Sequence, residues 1–317
     1  MTALAHQAAA AWGRGHAHLQ FVAGRENHVY RLSDASGDYA LRIKRPGYRR
    51  RAEVESELQW MAALDLAGLL VPRPLTSLDD RLLEEVDGHL VDLLTWLPGR
   101  TLGAVLQESS APAIDDLFHS LGQHMARLHQ ASDAWTLPAG FSRVRWDADG
   151  LLGETPVWGR FWEHPGLSAE DQRLFGHFRS TATRDLQGIQ NRLDFGLIHA
   201  DLVRENVLLH GNRIGLLDFD DGGWGYRVFD LATTLLKFTE SPGYPVLREA
   251  LLRGYRSVRP IDLDTLDLFL ALRAVTYVGW VVPRLGEDGA PERSRRYLAT
   301  ARELCQRYLS LPPGTEQ

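Results

Sequence analysis

The sequence predicts an α+β fold in two lobes, a small β-rich lobe carrying one helix followed by a larger, mainly helical lobe. Three observations predict it. The chain has 317 residues, about twice the length of an ordinary domain. β-like runs dominate its first third and helical spacing dominates the rest. The Pro98-Gly99 pair marks the change of texture, which sets the lobes at 1–97 and 98–317.

The elements follow in order. Val29 to Leu32 and Tyr39 to Lys44 flank the turn-forming run Ser33 to Asp38 and predict a hairpin. Arg51 to Leu64 repeats Val54, Leu58, Met61 and Leu64 at helical spacing, with Glu53 and Glu57 on another face. Arg81 to Glu85 and His89 to Leu94 surround the Asp87-Gly88 turn and predict a second hairpin. Beyond Gly99, Ile114 to His129 carries Leu117, Leu121, Met125 and Leu128 on one stripe. Trp135 to Leu167 is rich in Trp, Pro and Gly and predicts irregular structure. Ser168 is placed to cap a helix from Ala169 to Asn191, and a strand-rich patch runs from Gly196 to Asp218. Val228 to Tyr308 predicts helices broken at Pro242-Gly243-Tyr244, Arg259-Pro260 and Gly286 to Pro291.

Composition narrows the function. Hydrophobic residues at 44% and charged residues at 24% exclude a disordered chain. A formal net charge of −6 gives no overall attraction to nucleic acid or anionic membrane, so neither is expected as a partner. Cys305 is the only cysteine, which rules out an intrachain disulfide and a cysteine-based metal site. No basic segment precedes the alanine run near the N-terminus and no long uncharged apolar stretch is apparent, so the expected location is the cytoplasm.

The chemistry concentrates in His199-Ala200-Asp201-Leu202-Val203-Arg204-Glu205-Asn206, followed by Leu216-Leu217-Asp218-Phe219-Asp220. Phosphoryl transfer needs this order: a carboxylate beside the acceptor hydroxyl, then an amide and a carboxylate on magnesium. Val207 to His210 and Arg213 to Leu217 are β-like arms joined at Gly211-Asn212, and folding them together sets Asn206 beside Asp218 at the open end. Their hard oxygen donors suit Mg²⁺, which takes its remaining ligands from phosphate and water. Asp201 is placed to orient the attacking hydroxyl and accept its proton, and His199 to hold the loop. Asp220 is a candidate for a second metal contact.

With Phe229-Asp230-Leu231-Ala232, these motifs resemble the aminoglycoside phosphotransferase superfamily, which includes homoserine and choline kinases and the stress-response kinase A. Gly24 to Tyr30, Tyr39 to Arg42, Leu94 to Gly99 and Ala126 to His129 resemble further landmarks, in the family's order. The resemblance implies a bilobal protein-kinase-like fold whose first lobe holds ATP. It assigns Arg42 to the α- and β-phosphates, with Lys44 on the same strand face as the reserve, and Ala40 beneath the adenine. It selects Glu57 over Glu53 as the partner of that cation. Gly24 and Asn27 belong to a loop expected to cover the phosphates, and Trp96 and Leu97 to a hinge that pairs with adenine. Asp230 is implied to hold the catalytic loop.

Two features point to a small-molecule hydroxyl as acceptor. Val203 stands where eukaryotic protein kinases carry lysine, and the interval from Asp218 to Phe229 leaves little room for a peptide-binding segment. Arg273, Tyr277, Trp280 and Arg284 recur at helical spacing and form a candidate acceptor face, with Trp158, Phe161 and Trp162 as further aromatic candidates. An amino alcohol or an amino acid such as homoserine is the expected acceptor. A protein Ser/Thr kinase of the stress-response type and an idle nucleotide-binding module are the alternatives.

Overall fold

The computed structural model describes residues 1–24, 27–108 and 111–311, and its chain divides into two compact units. The first unit comprises Met1–Ser109, Gln130–Arg143 and Arg204–Asp220; the second comprises Ser110–His129, Val144–Val203 and Asp221–Gln317.

The first unit is built on a five-stranded antiparallel sheet in the order β1-β2-β3-β5-β4. Its strands are β1 (His18–Gly24), β2 (Asn27–Asp34), β3 (Gly37–Lys44), β4 (Glu84–Val86) and β5 (His89–Thr95). Alternation along β3 sends Leu41 and Ile43 into a core shared with Tyr30, Leu32, Val91 and Leu93. That core is closed by α1 (Thr2–Ala10), through Ala5, Ala8 and Ala9. The alanine run near the N-terminus is therefore a helix whose small side chains let it lie close on the sheet, an element the sequence reading did not expect.

The helix α2 (Arg51–Leu66) buries Val54, Leu58, Trp60, Met61 and Leu64, the stripe predicted from spacing. Its first turn is closed by a reciprocal cap in which the Glu53 carboxylate accepts the Arg50 backbone N–H at 2.9 Å. The same unit holds a three-stranded sheet, β10-β9-β6, from β6 (Arg100–Thr101), β9 (Val207–His210) and β10 (Arg213–Leu216), with the short helix α3 (Leu102–Leu106) following β6.

The second unit is mainly helical, with α4 (Ala111–Ala134) contributing its residues up to His129. Ser168 caps α6 (Ala169–Ile189) through the Asp171 N–H at 3.1 Å. Four more helices follow: α7 (Arg227–Leu236), α8 (Tyr244–Arg256), α9 (Leu266–Val281) and α10 (Ala290–Ser310). Between α4 and α6 the chain is largely irregular, with the short helix α5 (Ala148–Leu152), a single 3-10 turn at Phe161–Glu163 and β7 (Arg145–Trp146). β7 runs parallel to β11 (Gly223–Tyr226), which pairs antiparallel with β8 (Phe195–Ile198) on its other side.

Two close approaches fix this unit. A Cβ on Gly122 would lie 2.0 Å from the Leu251 carbonyl oxygen, and one on Gly254 would lie 1.9 Å from the His119 carbonyl oxygen. Glycine at both positions lets α4 and α8 cross backbone to backbone, which brings His129 of α4 to the hydroxyl of Tyr255 of α8 at 2.7 Å. The segment Leu266–Arg284 is long and apolar enough to cross a membrane, yet 78% of its most apolar stretch is buried inside the protein. It reads as a core helix.

Candidate active site

In the first unit, the face of β3 opposite the core presents Arg42 and Lys44 to α2. Arg42 donates from Nε and Nη2 to the two oxygens of Asp92 at 2.7 and 3.1 Å, and from Nη1 to Glu57 Oε1 at 2.8 Å. Register explains the first contact, since Arg42 and Asp92 are directly opposed on β3 and β5. Lys44 Nζ lies 3.4 Å from Glu57 Oε2, 3.3 Å from Asp220 Oδ1 and 3.8 Å from Asp92. Burial and the neighbouring Arg42 oppose its charge, yet Glu57, Asp220 and Asp92 hold the ammonium above its ordinary pKa. Burial alone would raise the Glu57 carboxyl, and Arg42, Lys44 and Arg143 instead hold it well below the usual range. Glu53, by contrast, is spent on the helix cap.

Sequence reasoning missed Arg143. This buried guanidinium donates to the carbonyls of Glu53 at 2.8 Å, Phe219 at 2.8 Å and Asp220 at 2.7 Å, tying the turn after β10 to α2. It lies in the stretch that predicts irregular structure, where no periodicity marks a buried position.

The β9–β10 hairpin sets the two predicted metal ligands. Val207 pairs with Leu216, and the Leu217 N–H donates to the Asn206 carbonyl at 2.8 Å, so Asp218 follows directly at the open end beside Asn206. Asp218 has a left-handed backbone, φ 62°, a conformation that costs a non-glycine residue about 1–3 kcal/mol and collects at functional sites. Two residues on, Asp220 is buried and its Oδ2 has no hydrogen-bond partner. Among the described residues no three His, Cys, Asp or Glu side chains gather to enclose an ion. This donor set of one amide, carboxylates and an orphaned carboxylate oxygen fits a magnesium ion completed by phosphate and water.

In the second unit Asp230, fully buried on α7, grips the turn that carries Asp201. Its oxygens accept the backbone N–H groups of His199 at 2.9 Å and Ala200 at 2.7 Å. His129 Nε2 donates to the same carboxylate at 3.0 Å while its Nδ1 accepts from the Tyr255 hydroxyl at 2.7 Å. Burial, with Arg227 nearby, lowers the His129 pKa to about 4, which keeps the ring neutral and fixes this donor pattern. Ala200 is held at φ 63°, left-handed like Asp218. His199 is buried, and its Nδ1 accepts the Asp201 N–H at 3.3 Å.

Asp201 meets Arg273 of α9. Arg273 Nη2 donates to Asp201 Oδ1 at 2.7 Å and to the Tyr277 hydroxyl at 3.1 Å. The predicted stripe is thereby divided. Arg273 and Tyr277 turn to the loop, whereas Arg284 folds back over the Trp280 ring at 4.1 Å and donates to the Trp280 carbonyl. Trp158 packs against both Tyr277 and Trp280, and Tyr297 of α10 stacks on Tyr277 at 4.9 Å with the Lys237 ammonium over both tyrosine rings. Phe161 lies instead in the core against Phe175, and Trp162 lies under Arg179.

The remaining predicted residues sit on the first sheet. Gly24 pairs with His28 across the β1–β2 ladder, Asn27 opposes Lys44, and Ala40 opposes Leu94. Arg25 and Glu26 lie outside the described residues. The Trp96 N–H donates to the Asp38 carbonyl at 3.2 Å with the Arg31 guanidinium over its ring, and Leu97 packs toward Gly215.

Residues 18–269 match the model of the APH phosphotransferase enzyme family. The solved structure of a microcompartment-associated aminopropanol kinase superposes with a TM-score of 0.85 at 30% identity, covering 98% of each chain. A homoserine kinase of Chelativorans sp. (strain BNC1) is 29% identical over 89% of this chain and 85% of its own. An amicoumacin kinase of Bacillus subtilis (strain 168) is 26% identical over 92% of this chain and 88% of its own. These likenesses establish the kinase-like α+β fold.

Proposed function

Since the chain belongs to the APH phosphotransferase enzyme family, we propose that it is a kinase that moves the γ-phosphate of ATP to a hydroxyl of a small amino alcohol or an amino acid such as homoserine. The observation that carries this reading is the double grip of Asp230 on the N–H groups of His199 and Ala200, which fixes the one loop whose carboxylate, Asp201, follows at once. A side chain held by a buried, hydrogen-bonded backbone is pre-organised for reaction.

Asp201 orients the acceptor hydroxyl and takes its proton as the new O–P bond forms and the bond from the γ-phosphorus to the β-bridging oxygen breaks, with ADP leaving. The transition state is loose, so positioning matters more than forceful deprotonation. Asn206 and Asp218 would hold Mg²⁺, with Asp220 Oδ2 as a further donor, and the ion when bound would neutralise charge on the phosphates.

On the nucleotide side, Lys44 is the better phosphate ligand. Arg42 has donated to Asp92 and Glu57 from all three of its nitrogens, which supports a structural role for it. Lys44 has only long contacts, of 3.3 Å and more, and a phosphate oxygen can replace one of them. Gly24 and Asn27 lie toward the phosphates, Ala40 lies beneath adenine, and Trp96 and Leu97 supply backbone groups to its edge.

On the acceptor side, Trp158, Tyr277 and Tyr297 form an aromatic wall bearing Lys237, suited to a small charged molecule. Homoserine kinase and aminopropanol kinase among the relatives support that substrate class. An ATP-consumption assay with homoserine, 1-amino-2-propanol, choline, aminoglycosides and a generic protein substrate tests it. Stimulation by a small hydroxyl compound supports the proposal, and phosphorylation of the protein substrate alone refutes it.

A further inference from the structure

We infer that Arg273 is a positioning residue for phosphoryl transfer, a buried cation whose task is to hold the Asp201 carboxylate in one orientation rather than to stabilise the fold. The inference rests on the reading of Asp201 as the base.

Two other buried arginines show the contrast. Arg42 meets two carboxylates with three nitrogens, and Arg143 meets three carbonyls. Each is a structural tie with its donors well used. Arg273 is fully buried, yet Nε and Nη1 have no hydrogen-bond partner. Its guanidinium is instead enclosed by the rings of Trp158 at 4.3 Å, Tyr277 at 4.4 Å and Phe229 at 5.4 Å. Aromatic faces attract a cation but do not satisfy N–H donors as oxygen does.

Burying a charge with one carboxylate and unused donors is unfavourable for stability, and because Asp201 is itself partly exposed, an apolar side chain in place of Arg273 leaves no fully buried charge behind. What the arrangement does supply is direction. The rings fix the plane of the guanidinium, the Tyr277 hydroxyl fixes the position of Nη2, and Nη2 fixes Asp201 Oδ1 at 2.7 Å. The Asp201 side chain itself keeps 23% exposure, so it remains reachable by an acceptor while Arg273 does not. Arg273 therefore acts through Asp201.

The test is R273M, which removes the charge but fills the aromatic enclosure, compared with R273K and D201N. Turnover is measured with MgATP and whichever of homoserine and 1-amino-2-propanol is phosphorylated, or with water as acceptor if neither is. We expect kcat for R273M to fall about 10²-fold with KM for MgATP nearly unchanged, and its melting temperature to be equal to or above that of the parent. A merely structural arginine gives the reverse: a lower melting temperature and a kcat within about threefold for the folded fraction. That result overturns the inference. If R273M does not fold, R273K decides, because it keeps the charge and loses the planar fork. An unchanged kcat in R273K overturns the inference, and at least a tenfold loss at constant KM supports it. D201N separates the two readings. Retained turnover in D201N removes the base assignment and the inference with it, whereas an inactive D201N beside a fully active R273M removes only the role of Arg273.

Discussion

Arg42 and Lys44 stand on one face of β3 and divide a single carboxylate, Arg42 taking Glu57 Oε1 at 2.8 Å and Lys44 lying 3.4 Å from Oε2. Their surroundings differ, and so do the consequences of losing them. Removing Arg42 leaves Asp92 and Glu57 buried without their closest cation, a loss of about 3–5 kcal/mol for a broken buried pair. R42M is therefore expected to lower the melting temperature sharply. K44M is expected to raise KM for MgATP by about tenfold or more with a smaller change in stability. Thermal melts and nucleotide titrations on both variants check this, and a stable R42M with weakened nucleotide binding would reverse the assignment.

Asp218 and Asn206 are expected to govern magnesium rather than nucleotide alone. D218A should abolish the Mg²⁺-dependent part of ATP affinity and leave the Mg²⁺-independent part, as read by calorimetry with and without the ion. Equal losses in both conditions would remove the metal assignment.

Asp230 joins fold to site. D230N keeps the volume but replaces one acceptor oxygen by a donor that must face an N–H of His199, Ala200 or His129. A loss of about 3 kcal/mol in stability and of about 10²-fold or more in kcat is expected, both from the same change. Urea unfolding and turnover measured on one preparation test the coupling; a stable but inactive variant would show the two effects to be separable.

Acid stability should carry the signature of His129. Its pKa lies near 4 in the folded protein and near 6.5 when exposed, so the unfolded chain takes up the proton first. The stability it contributes is full above about pH 6.5 and declines as pH falls through this window toward about 4. Melting temperatures across that range should fall for the parent and be flatter for H129Q. Parallel curves for the two proteins would assign the acid sensitivity to other groups.

Much of this was legible in the sequence because the relevant signals are local. Alternation in Tyr39 to Lys44 separated the core-facing Leu41 and Ile43 from Arg42 and Lys44, and the Gly211-Asn212 turn brought Asn206 to Asp218. Glu57 was separable from Glu53 only by motif, and the fold spends Glu53 on a helix cap. Long-range partners left weaker marks. Asp92 is a lone acid in an apolar strand, a signal that points to a buried cation without naming it. Arg143 sits in irregular chain, and its carbonyl partners carry no sequence signature. Spacing put Arg273 on a stripe with Arg284, but helical periodicity cannot reveal that one reaches Asp201 and the other folds over Trp280.

The most direct test of the account is transfer of label from γ-labelled MgATP to small hydroxyl compounds, with D201N beside the parent protein. The account predicts a labelled small-molecule phosphate ester with the parent, and a rate lower by several orders of magnitude in D201N with nucleotide affinity retained. Label transfer that survives in D201N, or that reaches only protein hydroxyls, would contradict it.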